Sequence, residues 1–216
     1  MSEDIRVMQN ILSESDKIAA DIDRTLRDRG VYAINVIGAP GAGKTSAIIG
    51  LLRHLPGVKG YVVEGDITSD IDTQTLKRLG IEAIQLNTGG ACHIDASLLR
   101  NTLESLNPGQ PGLLFIENIG NLVCPAEFSI GERDKVLVVT AADGSDKPYK
   151  YPLAFEKAAA IVLNKADLLP YVDFDMDYFM RGVRALNPDA PVFVVSARVD
   201  QGLAEVADWI LSRMQC

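Results

Sequence analysis

Apolar positions follow two different periods along the chain, and the change falls near Gly30. Over residues 1–30, apolar side chains recur at spacings of three, four and seven residues, which is typical of one face of an amphipathic helix. This stripe is formed by Met8, Ile11, Leu12, Ile18, Ile22 and Leu26. We therefore predict an N-terminal amphipathic helix at 1–30 that packs on its own domain. An arm that faces a partner protein is the alternative.

After Gly30, short apolar runs alternate with amphipathic stretches. The runs predict buried strands at 31–37, 60–63, 83–86, 113–116, 135–139, 160–163 and 192–195. The stretches between them predict helices at 44–55, 69–79, 94–106, 176–186 and 203–214. This alternation is typical of an α/β fold with a doubly wound, mostly parallel sheet and helices on both faces. We predict one domain over residues 31–216, whose ligands bind beyond the carboxyl ends of the strands.

Composition and charge exclude several classes of protein. Of the 216 residues, 47% are hydrophobic and 23% charged, as in ordinary globular domains. The 21 basic and 29 acidic side chains give a formal charge of −8, which argues against binding to nucleic acid or anionic membranes. Neither a signal peptide nor an apolar run of the ~18 residues that span a membrane is recognisable. Three cysteines are too few for a disulfide framework, so we expect a cytoplasmic protein.

The segment after the first predicted strand matches the phosphate-loop pattern G-x-x-x-x-G-K-[ST]. Its residues, with the one that follows, are Gly38, Ala39, Pro40, Gly41, Ala42, Gly43, Lys44, Thr45 and Ser46. Glycines let backbone N–H groups converge on phosphate oxygens, and the next helix directs its positive end at the same anion. We expect Lys44 to reach the β and γ phosphates and Thr45 to bind Mg²⁺. The pattern predicts a P-loop NTPase fold.

Two other strand ends offer groups for magnesium and the γ-phosphate. Glu117 ends the fourth predicted strand and is expected to hold Mg²⁺ directly or through water. The amide of Gly120, three residues later, is placed to meet the γ-phosphate. After the second predicted strand, Asp66 is a candidate to hold Mg²⁺ or to position the attacking water, and Asp72 is an alternative for the water. Together with Lys44, the residues Asp66, Glu117 and Gly120 form the predicted catalytic set.

A pattern that specifies a nucleotide base follows the sixth predicted strand. Asn164, Lys165 and Asp167 fit N-K-x-D. Asp167 can accept hydrogen bonds from N1–H and the exocyclic amine of guanine, which adenine does not offer. Lys165 is expected to stack its stem on the base, and Asn164 to brace the loops. Later, the backbone of the segment that begins with Ser196 and Ala197 is a candidate donor to guanine O6. The sequence thus predicts GTP as the ligand.

One further group of residues is not needed to bind a nucleotide. Cys92 and His93 follow the third predicted strand, and Cys124 follows the fourth. Both segments leave the carboxyl edge of the sheet, so the three side chains are candidates to converge. Thiolate and imidazole ligands favour Zn²⁺, Ni²⁺ or copper. Three ligands are one fewer than a closed structural zinc site, which indicates an exchangeable metal or a site completed by a second protomer. Two buried free cysteines and an ordinary loop histidine are the alternative.

These segments resemble a known family. Residues 88–95 and 116–125 are similar to the hydrogenase nickel-insertion GTPases, and the other motifs follow that family's order from Val31 onwards. The resemblance implies a GTPase and metallochaperone that forms a homodimer on binding GTP. Because no glutamine stands next to Gly120 to orient the attacking water, we expect slow intrinsic turnover. It implies that Cys92, His93 and Cys124 carry Ni²⁺ or Zn²⁺ across the dimer interface. It also implies two partners, the hydrogenase large subunit and a nickel-delivery accessory protein.

The chain departs from this family at a few positions, which keeps other functions open. It has no Cys-x-x-Cys-Gly-Cys motif or histidine-rich stretch, and Ser97 stands where some relatives have a histidine. Cys124 and Pro125 are followed by Ala126 rather than the histidine of urease-directed relatives, which argues against urease. The alternatives are a GTPase chaperone for urease or a cobalamin-dependent mutase, a P-loop kinase of small molecules, and a non-catalytic protein that only holds nucleotide.

Overall fold

Seven strands form a single parallel sheet in the computed structural model, which describes the backbone of residues 3–65 and 71–215 and the side chains of 14–65, 74 and 76–215. The strands are β1 (Val31–Gly38), β2 (Gly60–Glu64), β3 (Glu82–Gln85), β4 (Gly112–Glu117), β5 (Asp134–Thr140), β6 (Ala160–Asn164) and β7 (Val192–Val194). Their order in the sheet is β3-β2-β4-β1-β5-β6-β7, and every neighbouring pair is parallel. The predicted fold class is confirmed, and all seven predicted strands are present.

Nine α-helices lie in the described part of the chain. They are α1 (Glu3–Asp28), α2 (Lys44–Arg53), α3 (Ile71–Arg78), α4 (Ala96–Leu106), α5 (Cys124–Glu127), α6 (Lys147–Lys150), α7 (Pro152–Lys157), α8 (Met176–Leu186) and α9 (Leu203–Met214). The predicted start of α3 at residue 69 lies outside the described residues. The sequence did not predict α5, α6 and α7, because helices of four to six residues are too short for an apolar period to appear.

Helices cover both faces of the sheet. Successive side chains of a strand point to opposite faces, so β1 contributes to two cores. Ile34 and Val36 pack in one core with α2 and α9. Val31 and Ala33 pack in another with α1 and α4. A third cluster packs α7 and α8 on the part of the sheet that β5 and β6 form, and it includes Ile37 of β1. This double cover explains why the strands are apolar along their whole length.

The C-terminal half of α1 packs on the body of the molecule. Ala19, Ile22 and Leu26 are buried against β1 and α4. The side chains of Met8, Ile11 and Leu12 lie outside the described residues. Helix α1 therefore shares a hydrophobic core with the sheet. The division into a helix at 1–30 and a domain at 31–216 stays a prediction. No helix in the described part of the chain has both the length and the apolar character needed to cross a membrane.

Candidate nucleotide and metal sites

The loop between β1 and α2 has the backbone shape that phosphate binding requires. Gly41 and Gly43 have φ angles of 73° and 85°, a region that residues with a Cβ rarely adopt. The Ala42 amide donates to the Ala39 carbonyl oxygen at 3.1 Å, which closes the turn. Helix α2 begins directly afterwards at Lys44, so its free amides and positive end face the loop. The local sequence therefore builds an anion site from its own backbone.

Two side chains at the start of α2 lie at the centre of this site. Lys44 is only 7% exposed, and its ammonium donates to the Ala39 carbonyl oxygen at 3.4 Å. The hydroxyl of Thr45 donates to Glu117 Oε1 at 2.9 Å, which links α2 to the end of β4. Glu117 is itself 8% exposed. A hydroxyl and a carboxylate thus meet where the sequence predicts a magnesium site.

The segment after β4 lies close against the phosphate loop. A Cβ on Gly120 would lie 2.8 Å from the Cα of Pro40, so only glycine permits this approach. The two segments enclose a cavity of about 560 Å³, which also reaches Glu64, Gly65 and Lys165. Because its lining includes both phosphate-loop residues and a residue of the N-K-x-D motif, the cavity extends from the phosphate site towards the base site.

Glu64 is a buried carboxylate that belongs to none of the predicted sites. It ends β2, is 1% exposed, and lies in register with Glu117 of the neighbouring strand. Its place at the carboxyl end of a buried strand was the available signal. Asp66, which was selected, lies outside the described residues, as does the side chain of Asp72. The water-positioning role stays a prediction.

Three loops converge at the predicted base site. Asn164 is buried, and its Nδ2 donates to the Ala42 carbonyl oxygen at 3.0 Å. Its Oδ1 accepts from the Ala197 amide at 3.1 Å. Asp167 accepts from the Ser196 hydroxyl at 2.5 Å. These contacts fix the phosphate loop, the N-K-x-D loop and the loop after β7 relative to one another.

The backbone of the loop after β7 is already in use. The Ser196 amide donates to the Gln201 carbonyl oxygen at 3.0 Å, and the Ala197 amide donates to Asn164. To accept from either amide, guanine O6 would have to share it with its present acceptor or displace that acceptor. The sequence did not reveal this constraint. Lys165 has a left-handed φ of 58° and lines the cavity. Its stem is therefore placed at the boundary of the base and phosphate sites.

Cys92, His93 and Cys124 come together in the structure. Their ligand atoms all lie within 4.8 Å of one another. The two Sγ atoms are 3.0 Å apart, and Cys92 Sγ is 3.5 Å from His93 Nδ1. The hydrogen bond to Cys124 raises the pKa of the Cys92 thiol, and burial adds to this. The His93 ring stacks on Phe128 with a centroid distance of 4.8 Å, which orients the imidazole.

Comparison with known proteins decides the family. A family model described as CobW/HypB/UreG, nucleotide-binding domain, matches residues 32–194. The hydrogenase maturation factor HypB of Azotobacter vinelandii is 41% identical over 207 residues, which are 95% of this chain and 68% of that protein. The chain belongs to the HypB family. The hydrogenase/urease maturation factor HypB of Helicobacter hepaticus is 35% identical over 213 residues, 95% of this chain and 86% of its own length.

A solved HypB structure has the same fold. The crystal structure of HypB from Helicobacter pylori in complex with nickel aligns with a TM-score of 0.89 at 30% identity. The alignment covers 94% of this chain and 95% of that one. The resemblance to nickel-insertion GTPases that the cysteine and phosphate-loop segments indicated is therefore confirmed at the level of the family.

The donor set of this HypB-family chain suits a borderline metal. Two thiols and one imidazole are the ligand types that bind Ni²⁺ or Zn²⁺ rather than Mg²⁺ or Ca²⁺. Three donors leave at least one coordination position open. Cys92 is exposed, while His93 and Cys124 are partly buried, so the donor set is not enclosed by the protein. The chemistry of the cluster therefore fits a metal that is exchanged rather than one that is enclosed.

Proposed function

We propose that this chain is a GTP-hydrolysing metallochaperone that helps to insert nickel into [NiFe]-hydrogenase. The observation that carries the proposal is the approach of the ligand atoms of Cys92, His93 and Cys124 to within 4.8 Å of one another, in a chain whose phosphate loop lines a separate cavity. The names of the relatives support hydrogenase maturation, and the nickel complex of one relative supports nickel as the cargo. In this account nickel is delivered, and GTP is the substrate.

Guanine selection rests on Asp167. Its carboxylate would accept from N1–H and from the exocyclic amine, and adenine would leave both acceptor positions unpaired. The Ser196 hydroxyl holds this carboxylate in place at 2.5 Å. Asn164 braces the loops, and the stem of Lys165 covers the base.

The phosphates occupy the cavity between the phosphate loop and Gly120. Amides of residues 38–46 and the ammonium of Lys44 bind the phosphate oxygens, and the Gly120 amide meets the γ-phosphate. Thr45 and Glu117 would hold Mg²⁺, which would neutralise the charge of the phosphate oxygens when bound.

The cysteine site is also proposed to bind zinc, because two thiols and an imidazole suit Zn²⁺ as well as Ni²⁺.

Hydrolysis transfers the γ-phosphoryl group to water. The water oxygen bonds to the γ-phosphorus, the bond to the β–γ bridging oxygen breaks, and GDP and inorganic phosphate leave. Lys44 and the backbone amides stabilise the negative charge that develops on the leaving oxygens. Gly120 is flanked by Ile119 and Asn121, so no glutamine is adjacent to orient the water as in signalling GTPases. Asp66 or Asp72 is proposed for that role, and slow turnover is expected.

Nucleotide state would control assembly. With GTP bound, two copies are proposed to form a homodimer whose second copy completes the metal site, and hydrolysis loosens the site for transfer. The proposed partners are the hydrogenase large subunit and a nickel-delivery accessory protein. A cytoplasmic location, without nucleic acid or membrane partners, stays a prediction.

Nickel content of the target enzyme tests the proposal. In cells that lack this chain, purified hydrogenase large subunit is expected to contain little nickel, and the wild-type chain is expected to restore it. Lys44→Ala and the double variant Cys92→Ser with Cys124→Ser are expected to fail, while Cys216→Ser serves as the thiol control. Full nickel content with either failing variant would overturn the proposal.

Urease is the second candidate target, because the Helicobacter hepaticus relative is named a hydrogenase/urease factor. The Cys124–Pro125–Ala126 sequence argues against it. Measuring nickel in urease and activity of a cobalamin-dependent mutase in the same cells separates the three targets. A P-loop kinase would instead bind ATP in competition with GTP, and a non-catalytic protein would not hydrolyse GTP.

A further inference from the structure

Asn121 contacts the phosphate loop and both cysteine segments. Its backbone amide donates to the carbonyl oxygen of Gly38, the first residue of the phosphate loop, at 3.0 Å. Its side-chain Nδ2 donates to the carbonyl oxygen of Cys92 at 3.1 Å. Its Oδ1 accepts from the amide of Val123, next to Cys124, at 2.9 Å. One residue thus fixes the backbone at both thiols relative to the nucleotide loop.

Asn118 makes a second link between the same segments. Its side chain is 2% exposed, and Oδ1 accepts from the amides of Ile94 at 3.1 Å and Ile119 at 3.0 Å. Ile94 follows His93, and Ile119 precedes Gly120. The Nδ2 group donates to Asn35 Oδ1 at 3.1 Å, so the side chain is held by the sheet. We call the side chains of Asn118 and Asn121 the amide clamp.

The two residues of the amide clamp flank, along the chain, the residue that is proposed to contact the γ-phosphate. Gly120 lies between the two asparagines and packs so closely on Pro40 that a Cβ would lie 2.8 Å away. A movement of Gly120 towards or away from a γ-phosphate must therefore stretch the clamp or move the 92–94 segment with it. The second outcome changes the distances between Cys92, His93 and Cys124, because the clamp holds the backbone beside each of them.

We propose that Asn118 and Asn121 are positioning residues that couple the nucleotide state to the affinity of the Cys92–His93–Cys124 site. This inference rests on the proposed function, because it requires that both nickel and GTP bind. Asn118 lines the nucleotide cavity, but neither asparagine is proposed as a ligand of nickel or of the γ-phosphate. Its effect is on the difference in nickel affinity between two nucleotide states, which is a coupling free energy.

An isosteric substitution breaks one link of the clamp selectively. In Asn121→Asp the side chain keeps an acceptor for the Val123 amide but loses the donor to Cys92. A carboxylate oxygen would then face the Cys92 carbonyl oxygen, which repels it. Since Asn121 is partly buried, the variant is expected to fold. Asn121→Ser removes the donor to Cys92 without adding charge, and its short hydroxyl can keep only the local bond to the Val123 amide, so it is the second variant.

Asn87→Asp is the matched control. Asn87 lies in the same loop before Cys92, and its Oδ1 accepts from the Gly89 amide at 2.8 Å. The substitution retains that acceptor and adds the same single negative charge to the segment that carries Cys92 and His93. It breaks no link between the cysteine segments and the phosphate loop. A general electrostatic effect on nickel would therefore appear in this control as well as in Asn121→Asp.

The measurement is the nickel dissociation constant of the full chain with Mg²⁺ and either a non-hydrolysable GTP analogue or GDP. We expect a ratio of about fivefold or more between the two states in the wild type and in Asn87→Asp. In Asn121→Asp and Asn121→Ser the ratio is expected to fall about three- to tenfold towards unity, the effect of one or two hydrogen bonds. A merely structural role would weaken nickel binding equally in both states and leave the ratio unchanged.

The results separate this inference from the proposed function. A wild-type ratio in both Asn121 variants, or a ratio of one in the wild type, overturns the coupling role. Absence of nickel binding or of GTP binding in the wild type overturns the proposed function instead. If Asn121→Asp does not fold, the ratio of Asn121→Ser decides the question alone.

Discussion

Thr45 and Glu117 are in direct contact: the Thr45 hydroxyl donates to Glu117 Oε1 at 2.9 Å. The contact joins the first turn of the phosphate-loop helix to the end of β4, 72 residues away in the sequence. The sequence predicts both side chains as magnesium ligands for different reasons, Thr45 from the phosphate-loop pattern and Glu117 from its place at a strand end. Their contact supports a shared role at one ion.

Glu117→Gln removes a negative charge from the proposed magnesium site without changing its shape. We expect the rate of GTP hydrolysis to fall about a hundredfold, because a neutral amide binds Mg²⁺ poorly and the phosphate charge is then less compensated. The half-saturating Mg²⁺ concentration should rise in the same variant. Glu104→Gln, at an exposed position of α4, is the control and should retain the wild-type rate. An unchanged Mg²⁺ titration for Glu117→Gln would contradict the assignment.

Asp167→Asn is expected to change base preference. GTP affinity should fall about a thousandfold, because an amide cannot accept from both guanine donors. Xanthosine triphosphate should gain, because its C2 carbonyl can accept from the new amide. The Ser196 hydroxyl can still donate to the amide oxygen, so thermal stability should change little. Competition binding with both nucleotides measures this, with the exposed Asp173→Asn as control; retained guanine selectivity would refute the base assignment.

Cys92→Ser and Cys124→Ser together should abolish tight nickel binding. Loss of two thiolates from three donors should weaken Ni²⁺ binding at least a hundredfold and remove the thiolate-to-nickel charge-transfer absorption. Cys216→Ser removes the remaining thiol and should leave both signals intact. His93→Ala should retain the absorption and weaken binding about tenfold. Unchanged absorption in the double variant would place nickel elsewhere.

Tyr32, which does not line the nucleotide cavity, is expected to make the free energy of unfolding depend on pH. Burial and a 2.5 Å hydrogen bond to Asp134 raise the pKa of Tyr32 to about 12. The unfolded chain loses this proton near pH ~10, so the stabilisation is complete below that pH and is lost between pH ~10 and 12. Tyr32→Phe should lower the free energy of unfolding by about 1–2 kcal/mol at pH 8 and flatten its alkaline decline.

Urea unfolding at pH 8 and pH 11 checks the Tyr32 prediction. Tyr171→Phe is the matched control, since Tyr171 is 83% exposed. The control should match the wild type at both pH values. An alkaline decline as steep in Tyr32→Phe as in the wild type would refute the prediction.

The pattern of apolar residues and glycines predicted the strands and the phosphate loop, because their conformations depend on the local sequence. Buried strands such as β4 read as apolar runs, and the phosphate loop is recognisable because phosphate binding needs glycines such as Gly41 and Gly43 at left-handed φ. The convergence of Cys92 and Cys124 followed from topology, because both segments leave the same edge of a parallel sheet. Their 3.0 Å separation did not, since it depends on loop conformation.

The roles of Asn118 and Asn121 could not be predicted from the sequence. Asparagine is common in loops, where it bonds to the nearby backbone, and no spacing distinguishes one that reaches a distant segment. The link from Asn121 to Cys92 spans 29 residues and exists only when both loops are folded. Glu64 differs from them, because its place at the end of a buried strand is a sequence signal, although its register with Glu117 is visible only in the sheet.

The oligomeric state in defined nucleotide and metal conditions tests the central claim most directly. Sedimentation velocity of the full chain should be measured with Mg²⁺ and either GDP or a non-hydrolysable GTP analogue, each with and without Ni²⁺. The account predicts a monomer with GDP and a dimer with the GTP analogue, made tighter by Ni²⁺ but not in the Cys92→Ser and Cys124→Ser double variant. A monomer under all four conditions would contradict it.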